Sequence, residues 1–213
     1  MVTLEEFISE SAKHHATINP FFETGLYSLI SDVEAITRAL QNAGVAFEVI
    51  GGVAVNAHIL PLGRSRSFVT RDIDILLNRQ DLEKASIAAE PLGYQMKKMM
   101  GGYTLIKAGQ DLGEAIHVIF VGEKSKSTQP SPHPALNPEM KSLFGITIPV
   151  APLQDLLHMK LNSFRRKDIT HIEIMNETGL ITPALEQTLP PLLQERLKQA
   201  RESIAADQAD IEG

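Results

Sequence analysis

Two carboxylates interrupt an otherwise apolar run at Thr70-Arg71-Asp72-Ile73-Asp74-Ile75-Leu76-Leu77, downstream of Val49-Ile50-Gly51-Gly52-Val53-Ala54. In a strand, residues i and i+2 point to one side. Asp72 and Asp74 are therefore expected on one face, with Ile73 and Ile75 on the other. Two like charges side by side repel unless something positive stands between them. A divalent metal is the simplest such partner. Paired carboxylates holding Mg²⁺ beside a phosphate point to phosphoryl or nucleotidyl chemistry.

The 213 residues allow one domain with an appendage or two small ones. Hydrophobic content of 43% and charged content of 22% suffice for an ordinary buried core. The absence of cysteine excludes disulfides and thiolate metal sites and fits a reducing compartment. Residues 1–10 carry Glu5 and Glu6 and no long apolar run, unlike a signal peptide. No stretch has the length of a membrane span. A cytoplasmic location is expected. The net charge of −6 argues against a protein that coats nucleic acid. Two local basic patches stand out, Arg64, Arg66 and Arg71 near the carboxylates, and Lys160 with Arg165, Arg166 and Lys167.

Apolar spacing predicts helices through Leu4, Phe7 and Ile8 and through Leu26–Leu40, the second ended by Gly44. Val45 to Ile50 reads as a buried strand broken by Gly51-Gly52, Val53 to Leu60 as a helix, and Asp72 to Leu77 as the second strand. Asn78 or Asp81 is expected to cap a helix reaching Glu90. Tyr94–Met99 and Tyr103–Lys107 read as two strands around a glycine turn, and Ala115–Val121 as another strand. Gly122 to Pro138 reads as a loop, and Phe144 to Val150 as the last strand. Helices follow from Pro152 to Phe164, Asp168 to Glu177 and Pro190 to Ala205, with a frayed tail from Ala206 to Gly213. The expected fold class is α/β (α+β). Residues 1–150 would hold N-terminal helices and a mixed-sheet core, and residues 151–213 a helical part packed on it.

A strand, a diglycine turn, a helix and a strand bearing Asp-x-Asp form one coherent device. Glycines let backbone approach a phosphate closely, and the following helix offers its N-terminal N–H groups. Asp72 and Asp74 would hold Mg²⁺ beside that phosphate. Mg²⁺ needs one or two protein carboxylates once phosphate oxygens join them.

Gly51-Gly52 followed by Thr70-Arg71-Asp72-Ile73-Asp74 resembles the nucleotidyltransferase superfamily with a polymerase-β-like core. More narrowly, it looks like the bacterial branch of abortive-infection toxins and small antibiotic nucleotidyltransferases. Leu157-His158-Met159-Lys160-Leu161-Asn162-Ser163-Phe164-Arg165-Arg166-Lys167-Asp168 is similar to a later helix of that branch. The resemblance spans about Val45 to Glu177. It implies a mixed-sheet nucleotidyltransferase core, a nucleoside triphosphate as substrate and Mg²⁺ or Mn²⁺ as cofactor. It also raises a toxin role, with a cognate antitoxin as partner. Two positions depart from the pattern. His117, in Ala115-Ile116-His117-Val118, stands where a third carboxylate is expected, and Glu114 has the opposite strand parity. Arg66 lies four residues before Thr70 rather than two.

The expected site therefore comprises Asp72 and Asp74 as metal ligands and catalytic groups and His117 as candidate base. Gly51, Gly52, Thr70, Arg71 and Lys160 would bind nucleotide. The plainer alternatives are a solvated edge strand for the aspartates, a simple turn for the glycines, a helix-surface lysine and a hydrogen-bonded core histidine. His58 reads as packing or helix surface, Asp168 as a helix cap, and His14, His15, His133, His158 and His171 lack zinc spacing. The leading expectation is transfer of a nucleoside monophosphate from an NTP to a hydroxyl on RNA, protein or a small molecule. The alternative is a catalytically weakened module that binds a nucleotide or a protein.

Overall fold

The computed structural model describes residues 3–8, 20–62, 70–99 and 102–212. Within them the chain forms a mixed seven-stranded sheet flanked by helices. Residues 4–8 are helical and bury Phe7 and Ile8. The longer helices are α1 (Pro20–Asn42), α2 (Gly51–Ile59), α3 (Leu82–Ala89), α4 (Leu153–Ser163), α5 (Arg166–Glu177), α6 (Pro183–Gln187) and α7 (Pro191–Glu212). The strands are β1 (Phe47–Ile50), β2 (Ile73–Leu77), β3 (Tyr94–Met99), β4 (Gly102–Lys107), β5 (Ile116–Phe120), β6 (Glu139–Leu143) and β7 (Ile146–Val150). Their order across the sheet is β3-β4-β5-β2-β1-β7-β6. The β2–β5 and β1–β7 pairs are parallel, and the other neighbours are antiparallel.

The apolar pattern explains this layout. Val33, Ile36 and Leu40 of α1 are fully buried, as their helical spacing predicts. Each such side chain contributes roughly 1.5–3 kcal/mol on leaving water. The central strands β1 and β2 are covered on both faces, which is why Ile75, Leu76 and Leu77 are all buried in succession. α2 packs against β1 and β2 and meets α4 and α5, so it is seated at the sheet centre. α4, α5 and α7 pack on one another. No helix among the described residues is long and apolar enough to cross a membrane.

Several expectations need correction. The diglycine does not precede α2. It forms the helix's first turn, and Gly51 takes a left-handed φ of 70°. Asp72 lies one residue before β2 rather than within it. Neither Asn78 nor Asp81 caps with its side chain. A 3₁₀ turn over Arg79–Asp81 leads into α3 instead. β6 has no counterpart in the sequence expectations because it is a polar edge strand with one neighbour, needing no apolar alternation. It joins β7 through Phe144-Gly145, both left-handed. α7 continues through the tail read as frayed, to Glu212. Arg64, Arg66, His14, His15, Met100 and Gly101 lie outside the described residues.

One buried acid has no place in the apolar logic. Glu48 of β1 is fully buried, and its Oε2 accepts the Asn137 N–H at 3.1 Å, while Oε1 has no partner among the described residues. Burial pushes its carboxyl up to about 7 against that hydrogen bond, with the charge of Asp155 adding to the rise. The ordinary value is 4.5. Between the two values the folded chain keeps a proton that the unfolded chain releases, so stability falls as pH rises through this window. Glu48→Gln keeps the acceptor and removes the linkage. We expect the variant to gain on wild type by up to about 3 kcal/mol between pH 4 and pH 8. Urea unfolding at both pH values reads this out, and an unchanged pH dependence would refute it.

Candidate active site

Sheet register sets the first line of the site. Ile50 pairs with Asp74, Asp74 with His117, and His117 with Thr104, so one row of side chains crosses β1, β2, β5 and β4. This row borders a cavity of about 540 Å³. Gly51, Asp72, Asp74, His117, Lys160 and Lys167 line it.

The two glycines fit against the residues of the acidic segment. A Cβ placed on Gly51 would lie 2.0 Å from Asp74 Oδ2 and 3.0 Å from Asp74 Cβ. A Cβ on Gly52 would lie 2.7 Å from Thr70 Cβ. The backbone at the start of α2 thus passes directly over Asp74 and Thr70, an approach that a side chain would block. The Ile50 side chain cannot cap this helix start, so the first-turn N–H groups have no acceptor from the N-cap position.

Asp72 is held by two donors. Thr70 Oγ1 donates to Oδ1, and Lys167 Nζ donates to Oδ2 at 2.7 Å. Burial raises the Asp72 carboxyl, but the Lys167 ammonium and the Thr70 hydroxyl outweigh it and hold the group below its ordinary value. Asp74 moves the other way. Burial and then the charge of Asp72 raise it, against Lys160, His117 and Lys167. An acid pair with one member pushed up by the other is short of positive charge.

The cations come from the corner between α4 and α5, where Phe164 takes a left-handed φ of 50° and reverses the chain. Lys160 is 5% exposed, and its Nζ lies 3.4 Å from Asp168 Oδ1. Asp168 is 1% exposed and also accepts from Arg165, at 2.9 Å from Nε and 3.1 Å from the backbone N–H. Burial lowers the Lys160 ammonium, with Asp168 and then Asp74 opposing. Burial raises Asp168, but Arg165 and Lys160 bring it below the ordinary carboxylate range. Asp168 is therefore not the N-cap residue of α5, which is Arg165, but lies in its first turn and reaches back to the Arg165 N–H in a capping box, and it also fixes Lys160. The set of residues expected at the site omits Lys167, Arg165 and Asp168. Their run at one helix start is visible in the sequence, but its fold back onto Asp72 is not.

Other expected residues fall differently. Arg71 is exposed and does not line the cavity. Glu114 is exposed in a 3₁₀ turn before β5. His58 is a core group, its Nε2 donating to Ala151 O at 2.9 Å, and burial lowers its pKa. The Gly122–Pro138 segment does more than connect two strands. It forms a wall of the cavity, pinned by Ser131 to Asn162 and by Asn137 to Glu48.

No three His, Asp or Glu groups among the described residues converge on one metal position. The donor set nevertheless fits Mg²⁺ bound with a nucleotide. Two carboxylates face one cavity beside a basic cluster, one raised by burial and then by the charge of the other, and phosphate oxygens would complete the coordination.

No protein-family model matches the chain, and no curated protein does. Among solved structures it is similar to an antigenic nucleotidyltransferase-like protein from Paracoccidioides brasiliensis. The match has 14% identity and a TM-score of 0.50, and it covers 86% of this chain and 90% of that one. The antibiotic-resistance factor ANT(2'')-Ia matches in solution at 15% identity and a TM-score of 0.46, over 88% of this chain and 89% of that one. Its crystal structure in complex with adenylyl-2''-tobramycin matches at 14% identity and a TM-score of 0.45, over 86% and 94%. The first of these likenesses shows the fold: the chain shares that of the nucleotidyltransferase-like protein.

Proposed function

We propose that this chain is a Mg²⁺-dependent nucleotidyltransferase that moves a nucleoside monophosphate from an NTP to a hydroxyl and releases pyrophosphate. The observation that carries the reading is the seating of Gly51 against Asp74, with both aspartates and Lys160 on one cavity. Asp72 and Asp74 would hold the metal, which supplies charge neutralisation at the phosphates when bound. Gly51 and Gly52 let the start of α2 sit against Asp74 and Thr70, although Gly52 and Thr70 do not line the cavity, and that helix start would offer the triphosphate N–H donors. Lys167 and Lys160 stabilise the charge that builds on the departing pyrophosphate. Thr70 orients Asp72, and Asp168 orients Lys160. His117, which neighbours Asp74 in register, would take the acceptor's proton.

The cavity also bears on the acceptor. Its carboxylates among the described residues are Asp72, Asp74 and Asp168, and each has a cationic neighbour or the metal role. An acceptor with several ammonium groups would find no further carboxylate. This charge balance favours an uncharged or anionic hydroxyl compound.

The test combines calorimetry with a turnover assay. NTP with Mg²⁺ is expected to bind, and pyrophosphate is expected to appear with a suitable acceptor. Chelation by EDTA should abolish turnover and return of Mg²⁺ restore it. Turnover that survives EDTA would reject the metal role. Binding with no pyrophosphate across acceptors would favour the nucleotide-binding module, for which the imidazole in place of a third acid is the motive. A toxin role rests on the resemblance and would show as growth arrest on expression, relieved by Asp72→Ala.

A further inference from the structure

The cavity that holds the aspartates also carries a hydroxyl and a base on the Gly122–Pro138 segment. Ser125 and His133 both line it. Ser125 Oγ lies 2.8 Å from His133 Nε2. The main chain that carries this imidazole is fixed on both sides. His133 N donates to Glu123 O at 2.8 Å, and Gly122 N donates to His133 O at 3.0 Å. His133 is 6% exposed, and its Nδ1 has no hydrogen-bond partner among the described residues. A buried imidazole with one free nitrogen is costly as a purely structural element. Next to a hydroxyl on the wall of a nucleotide-sized cavity, it is the arrangement of an activated nucleophile.

We infer that Ser125 is a self-modification site, taking a nucleoside monophosphate from an NTP bound in its own cavity. This rests on the nucleotidyl-transfer reading above and names an acceptor for it within the chain. Ser125 Oγ forms a bond to the α-phosphorus. The bond from that phosphorus to the bridging oxygen breaks, and pyrophosphate leaves. The hydroxyl proton passes to His133 Nε2 and then to solvent. Burial, followed by the neighbouring His158, lowers His133 below its ordinary pKa, so the ring is neutral and able to accept that proton near pH 7. Ser125 belongs to the pinned Gly122–Pro138 loop, so its hydroxyl is held at the wall rather than swept through solvent. The product would fill the cavity with a tethered nucleotide and stop further turnover.

The experiment needs no external acceptor. Purified full-length chain is incubated with Mg²⁺ and each NTP in turn, then measured by intact-mass spectrometry and peptide mapping. We expect a single nucleoside monophosphate on Ser125, a single equivalent of pyrophosphate, and a rate independent of protein concentration. Ser125→Ala should lose the adduct and Thr128→Ala keep it. His133→Gln should slow its formation by about 100-fold. Circular dichroism checks that each variant is folded. An unmodified wild-type chain, or an adduct that persists in Ser125→Ala, overturns the inference. If an added acceptor takes the nucleoside monophosphate and pyrophosphate is released in that case, nucleotidyl transfer stands and self-modification alone is rejected. Nucleotide binding without any pyrophosphate rejects both.

Discussion

Asp74→Asn is expected to reduce nucleotidyl transfer by at least about 1,000-fold, close to 4 kcal/mol of transition-state stabilisation. The substitution keeps size and one acceptor oxygen but removes the charge that draws a metal to the row shared with His117. It should also leave a second, opposite mark. The Asp74 carboxyl is raised above its ordinary value by burial and by Asp72. The folded metal-free chain therefore holds this proton more tightly than the unfolded one, which costs stability above the ordinary carboxylate range, and the cost is gone once pH has fallen into that range. The neutral amide lifts it, so the nucleotide-free variant should unfold at a higher temperature than wild type. Its thermal shift on adding Mg²⁺ and NTP should shrink, because that shift measures ligand affinity for the folded state. Higher stability with lost turnover is the signature of a strained functional carboxylate. Lower stability with turnover intact would identify Asp74 as a structural residue and remove the proposed metal site.

Gly51→Ala is expected to damage folding and function together. The left-handed φ of 70° costs an alanine roughly 1–2 kcal/mol. The added methyl would also stand 2.0 Å from Asp74 Oδ2 and 2.9 Å from its Cγ. Relief requires the carboxylate to turn away or the first turn of α2 to lift from β2, and either disrupts the cavity. Gly93→Ala separates the two effects. Gly93 has a φ of 85°, and nothing among the described residues lies within 4 Å of where its methyl would stand, so it bears the backbone strain alone. We expect Gly51→Ala to lose clearly more stability than Gly93→Ala in denaturant titrations, and to lose nucleotide binding while Gly93→Ala retains it. Equal losses would show that the diglycine serves only its own turn geometry.

Much of the fold was legible in local patterns. The apolar run of Ile73–Leu77 and the helical spacing of Val33–Leu40 report burial directly, because a residue facing a core must repeat with the element's own period. Strand β6 escaped because an edge strand with one partner carries little apolar signal. The capping role given to Asn78 or Asp81 failed because a 3₁₀ turn satisfies that entry with backbone bonds, among them Asp81 N to Asn78 O at 2.9 Å. Among the candidate residues, Asp72, Asp74 and Gly51 carry a local signature, since each is a residue type that its surroundings would otherwise disfavour. Lys167 reads as one more surface cation until α5 turns it onto Asp72.

The amino-acid order alone marked most of the strands and helices around the acidic doublet, and singled out the two aspartates and the diglycine as residues that need a special setting. Those are short-range consequences of side-chain period and of glycine's missing Cβ. Tertiary structure decided the rest. It brought Lys160, Arg165, Lys167 and Asp168 across from the α4–α5 corner, set His117 beside Asp74, and closed the cavity with the Ser125–His133 wall. Such contacts join residues far apart along the chain, and only packing and sheet register fix them, through distances that no local pattern encodes.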